Sequence, residues 1–344
     1  MRARRIRSLA VAGLAAGALT LAGCGGSDDS AVAAAGAPAT ITMSIGYNSG
    51  GAMAVQLGQK QGYFTDETIT LDQSVSENAA ARVAAVQSGA VGMTQLPTPT
   101  FIGAVEQGLG LHAIAPEYGY PDGAETAPYE NIEVLVGPDS DAQDAGDLDG
   151  ATVAVPVRKD LMEILVTSEI ATRGGDPSSV EWVALDFVSQ VAALKEGRVD
   201  AVTVPFPFTL MVQEFGGRSI SKPAGEFFGT TPTTIWVVND DVAKNTDLVE
   251  RLQRAIYRSN DYANQHPDEV YASSSQRSGI PLETLRTAGA KAYFPSYLDP
   301  EALQQTADRM QELGFLGDLD ITTAVAPQID TAGLASAPPA PDAS

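Results

Sequence analysis

Two segments of the chain repeat one another without a gap at an offset of 108 residues. They are VAAVQSGAVGMTQLPTP, from Val83 to Pro99, and VAALKEGRVDAVTVPFP, from Val191 to Pro207, and seven of the 17 positions are identical. Each copy has the pattern of an Ala-rich helix that ends at a glycine, followed by a short strand and a proline-containing loop. Helix-to-strand junctions resemble one another in composition, but composition alone does not explain the matched prolines. The repeat therefore predicts two copies of one α/β unit.

The strands that begin each unit also correspond. ITMSIGY (Ile41 to Tyr47) and ATVAVPV (Ala151 to Val157) each precede a loop, a helix and a second strand. Alternating strands and helices predict parallel sheets covered by helices. We therefore predict two α/β lobes joined by two crossing segments, near Asn131 to Val136 and Thr234 to Asn239, with helices from Thr246 onward. Ligands of open α/β sheets bind beyond the carboxyl ends of the strands, so a cleft between the lobes is the expected binding site.

The first residues have the pattern of a secretory signal. Four arginines in the first seven residues precede an apolar run from Leu9 to Leu21, which is short for a membrane span. The run ends in Leu-Ala-Gly-Cys, which resembles the bacterial lipobox and makes Cys24, the single cysteine, the predicted lipidation site. The alternative is an unpaired thiol in a secreted protein, although exported chains rarely keep an odd free cysteine.

These signals divide the chain. We predict a signal peptide over residues 1–23, a lipidated flexible tether over 24–39 and a disordered tail over 326–344. Lobe I is expected over 40–136 and, as a return strand with C-terminal helices, over 234–325; lobe II is expected over 137–233. The formal net charge of −22 argues against nucleic acid as a partner. The lipid is thus the expected attachment of an extracytoplasmic body to the cell membrane.

Several segments together resemble the NitT/TauT-type substrate-binding proteins of ABC importers. These are QKQGYF (Gln59 to Phe64), VQSGAVGM (Val86 to Met93), DLDGATVAVP (Asp147 to Pro156), ALKEGRVDAVTVPFP (Ala193 to Pro207), DLVERLQRAIYRSNDYANQHPDEVY (Asp247 to Tyr271) and MQELGFL (Met310 to Leu316). The resemblance covers about Thr40 to Val325, and their order and spacing carry it rather than any one motif.

The resemblance implies the type II periplasmic-binding-protein fold and a function in transport. Such a protein captures a small polar solute by hinge closure and delivers it, as a monomer without a cofactor or metal, to a permease and its ATPase. Sulfonate-, taurine- or nitrate-like anions are the first expectation. A thiamine-precursor aminopyrimidine or a related heterocycle is the alternative.

In that family the ligand lies among four loops. The residues of this sequence that correspond to those loops are as follows. The first two loops follow lobe I strands and contain Asn48, Ser49 and Gly50, then Gln95, Pro97 and Thr98. The other two follow lobe II strands and contain Arg158 and Lys159, then Pro205 and Phe206. The glycine allows a close approach of the backbone, the two cations precede a helix N-terminus that suits an anion, and a phenylalanine there could stack on a ligand. Ordinary turn, core or surface roles remain open for each of them.

Two further observations concern chemistry at the cleft. Asp160 and Glu163 have capping-box spacing, so Asp160 is expected to cap a helix rather than to contact ligand. Glu117 and Tyr118 end a lobe I strand and would suit an amine or aminopyrimidine better than an anion. Arg158 and Glu117 therefore favour different ligands, and the sequence leaves that choice open.

An enzymatic function has little support in the sequence. The two histidines, His112 and His266, lie far apart, and neither belongs to a nucleophile motif or to metal-ligand spacing. The fold is shared with some pyrimidine-synthesis enzymes, so fold alone does not exclude catalysis. We expect a binding protein, with an enzyme of that kind as the distant alternative.

Overall fold

The computed structural model describes residues 35–46, 52–76, 78–121, 132–288, 291–332 and 334. The predictions for the signal peptide, for Cys24 and for Asn48, Ser49 and Gly50 lie outside these residues. Within them, no helix is long and apolar enough to cross a membrane.

Sheet I has five strands in the order β2-β1-β3-β10-β4. β1 pairs in parallel with β2 and β3, whereas β10 is antiparallel to β3 and β4. The strands are β1 (Ala39–Ile45), β2 (Ile69–Val75), β3 (Met93–Pro97), β4 (Leu111–Tyr118) and β10 (Thr234–Asn239).

Sheet II also has five strands, in the order β7-β6-β8-β5-β9. Here β6 is parallel to β7 and β8, and β5 is antiparallel to β8 and β9. The strands are β5 (Ile132–Val136), β6 (Thr152–Val155), β7 (Glu181–Ala184), β8 (Ala201–Pro205) and β9 (Arg218–Ser221). In each sheet the strand that belongs to the sequence repeat, β3 or β8, lies beside an antiparallel strand. This common arrangement confirms the prediction of two α/β lobes.

The helices complete the two lobes. Lobe I contains α1 (Ala52–Lys60), α2 (Tyr63–Asp66), α3 (Ala79–Gln87), α4 (Thr98–Glu106), α9 (Asp240–Ala243), α10 (Thr246–Gln265), α11 (Pro267–Ser278), α12 (Leu282–Ala288) and α13 (Pro300–Glu312). Lobe II contains α5 (Leu161–Thr172), α6 (Phe187–Lys195) and α7 (Phe208–Glu214), and α8 (Ala224–Phe228) leads back towards β10. The repeat glycines, Gly89 and Gly197, follow α3 and α6 with φ of +74° and +66°, the left-handed conformation that ends a helix.

One expected boundary differs from the structure. The sequence predicts a crossing segment near Asn131 to Val136 at the end of lobe I, but Ile132–Val136 forms β5 within sheet II, paired with β8 and β9. Four of the five residues of IEVLV are apolar and buried, and Glu133 is half-buried, as suits an inner strand. Ile132–Val136 therefore belongs to sheet II.

α10, one of the helices expected from Thr246 onward, buries several apolar side chains. On α10, Leu248, Leu252, Ala255 and Ile256 are buried. α10 crosses α1 so closely that a Cβ at Gly58 would lie 1.7 Å from Oγ of Ser259. Only glycine allows the two helices to approach to this distance.

The first residues beyond Val325 contact β4 and α10. Ala326 is buried, and its amide donates a hydrogen bond to the Ala113 carbonyl at 2.9 Å. Gln253 Nε2 donates to the Pro327 carbonyl at 3.0 Å, and the Tyr257 hydroxyl donates to the Gln328 side chain. β4 and α10 thus provide hydrogen-bond partners for residues 326–328, the first residues of the predicted tail.

One apolar cluster includes residues of both lobes. It contains Phe101 and Ile102 of α4, Leu165 of α5, Phe228 of α8 and Leu303 of α13, all of them fully or almost fully buried. Side chains of lobe II are thus packed in the same core as the helices of lobe I.

Candidate functional site

The loops that follow the strands of the two sheets meet between the lobes. Thr100 lies in the first turn of α4, directly after β3, and its hydroxyl donates a hydrogen bond to Asp160 Oδ1 at 2.9 Å. Asp160 lies between β6 and α5 in lobe II. This contact joins the carboxyl edges of the two sheets, which is where open α/β sheets bind ligands. The candidate site is therefore the cleft between these edges.

Gln95 lies at the floor of the cleft in lobe I. Its side chain, on β3, is 2% exposed, and Oε1 accepts a hydrogen bond from the Gly46 amide at 3.3 Å. Its carbonyl oxygen accepts a hydrogen bond from Nε of Arg82 at 3.0 Å. Gly46 permits this packing, because a Cβ there would lie only 3.3 Å from Arg82 Nη1. Gln95 thus connects the end of β1 to β3 by bonding to a backbone amide. This is one of the roles that the sequence leaves open for it.

Glu117 is the ionisable group of β4 at the same edge. It is completely buried, and among the described residues neither carboxyl oxygen has a hydrogen-bond partner. Burial raises its pKa to about 8, and the nearby Thr234 hydroxyl, the Arg82 charge, the Gln95 side chain and the Arg277 charge offset only part of that increase. Thr234 and Gln95 approach the carboxyl group without reaching normal hydrogen-bonding geometry. Glu117 is therefore predominantly neutral at pH 7.

Two arginines at this floor were not identified from the sequence. Arg82 on α3 is 5% exposed, and its Nη1 donates to the Ser76 carbonyl at 2.6 Å. Arg277, near the end of α11, donates from Nη2 to the Gly46 carbonyl at 3.3 Å. A charged residue within the Ala-rich helix AAARVAAVQ was a usable signal for Arg82, since arginine is rarely buried without a specific partner. No local pattern connects Arg277 to the site, because only the tertiary fold brings α11 to β1.

Pro97, Thr98 and Tyr118 all lie at the cleft edge. The buried Thr98 hydroxyl donates to the Pro232 carbonyl at 2.5 Å, and Pro97 precedes it as the N-cap of α4. The Tyr118 hydroxyl donates to the Lys291 carbonyl at 3.4 Å, and its ring packs edge-on against Phe294. These contacts hold the ends of β3 and β4 against neighbouring segments of lobe I.

The charged loop of lobe II is held by its own residues. Glu163 is 4% exposed and accepts hydrogen bonds from Arg158 Nε at 2.6 Å and from the Lys159 amide at 2.7 Å. Lys159 adopts the left-handed conformation, with φ of +57°, which is uncommon for a residue with a Cβ. Arg158 is 45% exposed but is already paired with Glu163. The pair reduces the positive charge that this loop can offer to an anion.

The capping box predicted for Asp160 and Glu163 is wrong. Asp160 is the N-cap of α5, but its side chain accepts no hydrogen bond from the amides of the helix. Its carboxylate accepts from Thr100 of lobe I instead, while Glu163 turns back to Arg158 and Lys159. The two acids are used across the cleft and along the loop, because partners from outside the helix compete with the local cap.

Apolar side chains collect along the carboxyl edge of sheet II. Val157, Val188 and Met211 are 53%, 58% and 39% exposed, respectively. Half-buried phenylalanines lie beside them after β7 and β8, and the rings of Phe187 and Phe208 are 5.1 Å apart. We call this set the lobe II rim; it consists of Val157, Phe187, Val188, Phe206, Phe208 and Met211. Phe206 follows Pro205, the last residue of β8, through which the chain reaches the rim.

The two histidines have structural contacts elsewhere. His112, at the start of β4, lies 2.7 Å from Asp240, and the His266 ring stacks on Tyr262 beside α11. Neither contact is with a residue of the cleft floor or of the lobe II rim.

Comparisons with known proteins identify the fold. The aliphatic sulphonate binding protein SsuA of Escherichia coli is 14% identical, has a TM-score of 0.68 and aligns over 89% of this chain and 98% of its own. The nitrate-binding protein NrtA of Synechocystis PCC 6803 is 14% identical, with a TM-score of 0.63, over 83% of this chain and 84% of its own. A Candida albicans protein described as having the generic periplasmic binding protein fold is 15% identical, with a TM-score of 0.69, over 86% of this chain and 99% of its own. These likenesses confirm the predicted fold.

Sequence comparison identifies the family. No protein of curated function matches the chain. A family model does match, over residues 52–270, a range that runs from α1 to α11 and includes both sheets almost entirely. The chain belongs to the NMT1/THI5-like family.

Proposed function

We propose that the protein is the extracytoplasmic solute-binding lipoprotein of an ABC importer. It captures a small polar solute between its lobes and delivers it to a membrane permease that is driven by an ATPase. The observation that carries this proposal is the cleft itself, where the carboxyl edges of two similarly ordered sheets meet above a buried ionisable cluster. The described relatives of similar fold that bind sulfonate or nitrate support it.

Binding is better supported than catalysis. An enzyme needs a nucleophile or a general base within reach of its substrate. The histidines are engaged away from the cleft, and Glu117 has no acid–base partner beside it among the described residues. Arginine, glutamine and a neutral carboxyl group can hold a solute without transforming it.

The first ligand class that we propose is the organic sulfonate- or taurine-like anion, followed by nitrate. Structural neighbours described as sulphonate- and nitrate-binding proteins favour an anion, and the lobe II rim offers an apolar surface to an organic body. Nitrate has no such body and would leave the rim unused. The second class, an aminopyrimidine or related heterocycle, is favoured by the unpartnered oxygens of Glu117, which could accept N–H hydrogen bonds.

A thermal-shift screen across both classes tests the function. A ligand at about a hundred times its dissociation constant should stabilise the folded protein by roughly 2.7 kcal/mol. We expect a saturable shift with at least one organic anion or amino-heterocycle, and no consumption of that compound during prolonged incubation. Turnover of a bound compound would instead favour the enzyme alternative, and the absence of any shift would count against the proposed function.

The proposed lipid anchor is tested separately at Cys24. We expect the protein to fractionate with membranes and the mature chain to begin at Cys24 with the added mass of acyl chains. Cys24→Ala should move it to the soluble fraction, because the variant lacks the residue that would carry the lipid. Cys24→Ser is the matched control for side-chain size, and it should behave as the alanine variant does. An unmodified mature chain that begins at another residue would contradict the anchor.

A further inference from the structure

We propose that the lobe II rim determines the ligand specificity of the protein, because it binds the apolar body of an amphipathic organic solute. The size of that body, more than the identity of the polar head group, then sets the affinity. This inference rests on the proposed function and applies to either head-group class, the organic anion or the amino-heterocycle. It adds the part of the ligand that lobe II recognises.

The exposure of the rim is the first argument. Among the residues that the structure describes, five large apolar side chains are exposed, and three of them, Val157, Val188 and Met211, belong to the rim. The packed rings of Phe187 and Phe208 connect α6, which carries Val188, to α7, which carries Met211. Single exposed apolar residues are common on soluble proteins, whereas a group of them marks an interaction site or a ligand groove.

The second argument is the place of the rim in the fold. Its residues follow β6, β7 and β8, which are neighbours in sheet II, at the carboxyl ends where open α/β sheets bind ligands. Phe187 also packs against the interlobe cluster. The loop that contains Val157 continues to Asp160, which accepts the hydrogen bond from Thr100 of lobe I. A solute held between the lobes therefore lies within reach of the rim.

The third argument is a difference between the two lobes. The offset of 108 residues extends to the start of α3 and α6, where Asn78 and Asp186 cap the two helices at equivalent positions. Alanine occurs twice, threonine twice and glycine once at the positions 108 residues before Phe187, Val188, Phe206, Phe208 and Met211. Two similar units thus differ at the same edge, because lobe II has large apolar side chains where lobe I has small or polar ones.

Charged groups lie beside the rim and not within it. Arg158 and Lys159 follow Val157 in the same loop, and Arg158 is paired with Glu163. Pockets for organic ligands are typically lined by apolar side chains, with a few polar groups that orient the ligand. A solute with an apolar body and one polar head group matches this arrangement, whereas nitrate would gain nothing from the rim.

The expected effect follows from the apolar surface that binding removes from water. Each methylene that the rim covers completely should strengthen binding by about fourfold. A four-carbon body should therefore bind up to about fiftyfold more tightly than a one-carbon body with the same head group. Covering the larger body should also make the heat capacity change of binding more negative.

The test is isothermal titration calorimetry of the purified protein at several temperatures. Two pairs of probes share a head group and differ in their apolar body: methanesulfonate with butanesulfonate, and 4-aminopyrimidine with 4-aminoquinazoline. We expect the larger member of at least one pair to bind at least about tenfold more tightly than the smaller one. It should also show the more negative heat capacity change.

Substitutions on the surface test the assignment to lobe II. Combining Val157→Ala, Val188→Ala and Met211→Ala removes side-chain atoms that are largely exposed, so the fold should be retained. This variant should bind the larger probe about tenfold more weakly and the smaller probe within about twofold of the wild type. Val75→Ala is the matched control for Val157→Ala, because both valines are 53% exposed and Val75 ends a strand of sheet I. It should bind both probes as the wild type does.

The other results overturn the inference. Equal affinities within both pairs would mean that the head groups alone account for binding, which would leave the proposed function intact. A preference for the larger probe that survives in the combined rim variant, or that Val75→Ala removes equally, would assign the apolar body to another surface and leave the rim to a protein partner. If no probe of either class bound, both the inference and the proposed function would lose their support.

Discussion

Replacing Glu117 by glutamine should change the free energy of unfolding relative to the wild type, and the change should depend on pH. It should favour the variant by several kcal/mol more at alkaline pH than at acidic pH. The pKa of Glu117 is raised from 4.5 to about 8 in the folded protein, so the folded state retains a proton that the unfolded state releases. Wild-type stability therefore falls as the pH rises from about 4.5 to 8, whereas the neutral amide of the variant is unaffected. At about 1.4 kcal/mol per pKa unit, the advantage of Glu117→Gln should grow by about 4–5 kcal/mol between pH 4 and pH 9.

Urea unfolding at pH 4, 6, 8 and 9 measures this difference directly. Comparing each variant with the wild type at the same pH cancels the other titrating groups, and comparing pH values cancels any fixed cost of the new amide. Glu169→Gln should instead be destabilised, because it replaces a buried carboxylate that has hydrogen-bond partners. Parallel stability profiles for wild type and Glu117→Gln would mean that Glu117 is not held neutral in the folded state.

A large gain from removing a native side chain would itself be informative. Positions where the native residue is less stable than a substitute are concentrated at functional sites, where the required chemistry conflicts with packing. Glu117 is such a position, because a glutamine of nearly the same shape would avoid the ionisation cost. A glutamate at this position therefore suggests that the function needs a group that can be protonated or ionised, which glutamine cannot provide.

The architecture was predictable because the two halves of the chain repeat each other. The Gly89 and Gly197 helix ends and the prolines after β3 and β8 are local signals, and their common spacing indicates two similar units. The boundary near Ile132 was not predictable in the same way, because a buried antiparallel strand and an apolar crossing segment have the same composition. Its assignment depends on pairing with β8 and β9.

The candidate site was predictable only in part. Glu117 could be found because a carboxylate at the end of an apolar strand is conspicuous, but its raised pKa depends on burial that no local pattern encodes. Arg277 reaches the floor through the packing of α11, far along the chain. The sequence makes Arg158 available for an anion because it assigns Glu163 to a capping box with Asp160. In the structure Asp160 accepts a tertiary hydrogen bond from Thr100, and Glu163 pairs with Arg158.

The interlobe core predicts how the protein unfolds. Leu165 and Ile170 lie on the same helix, α5, and both are fully buried. Leu165 belongs to the cluster that contains Phe101 of α4 and Leu303 of α13, whereas Ile170 packs in a cluster made only of lobe II residues. Truncating either to alanine should lower the free energy of unfolding by about 2–5 kcal/mol, because both changes leave a cavity. Their consequences for cooperativity should differ.

We expect the wild type to unfold in a single transition, because a core shared by both lobes makes each lobe depend on the other. Leu165→Ala weakens that shared core, so intrinsic fluorescence and far-ultraviolet circular dichroism should give separate urea midpoints. The radius of gyration of the native protein from small-angle scattering should also increase. Ile170→Ala should keep coincident midpoints and an unchanged radius, because the cavity lies inside one lobe. Two transitions in the wild type, or the same behaviour in both variants, would mean that the cluster does not couple the lobes.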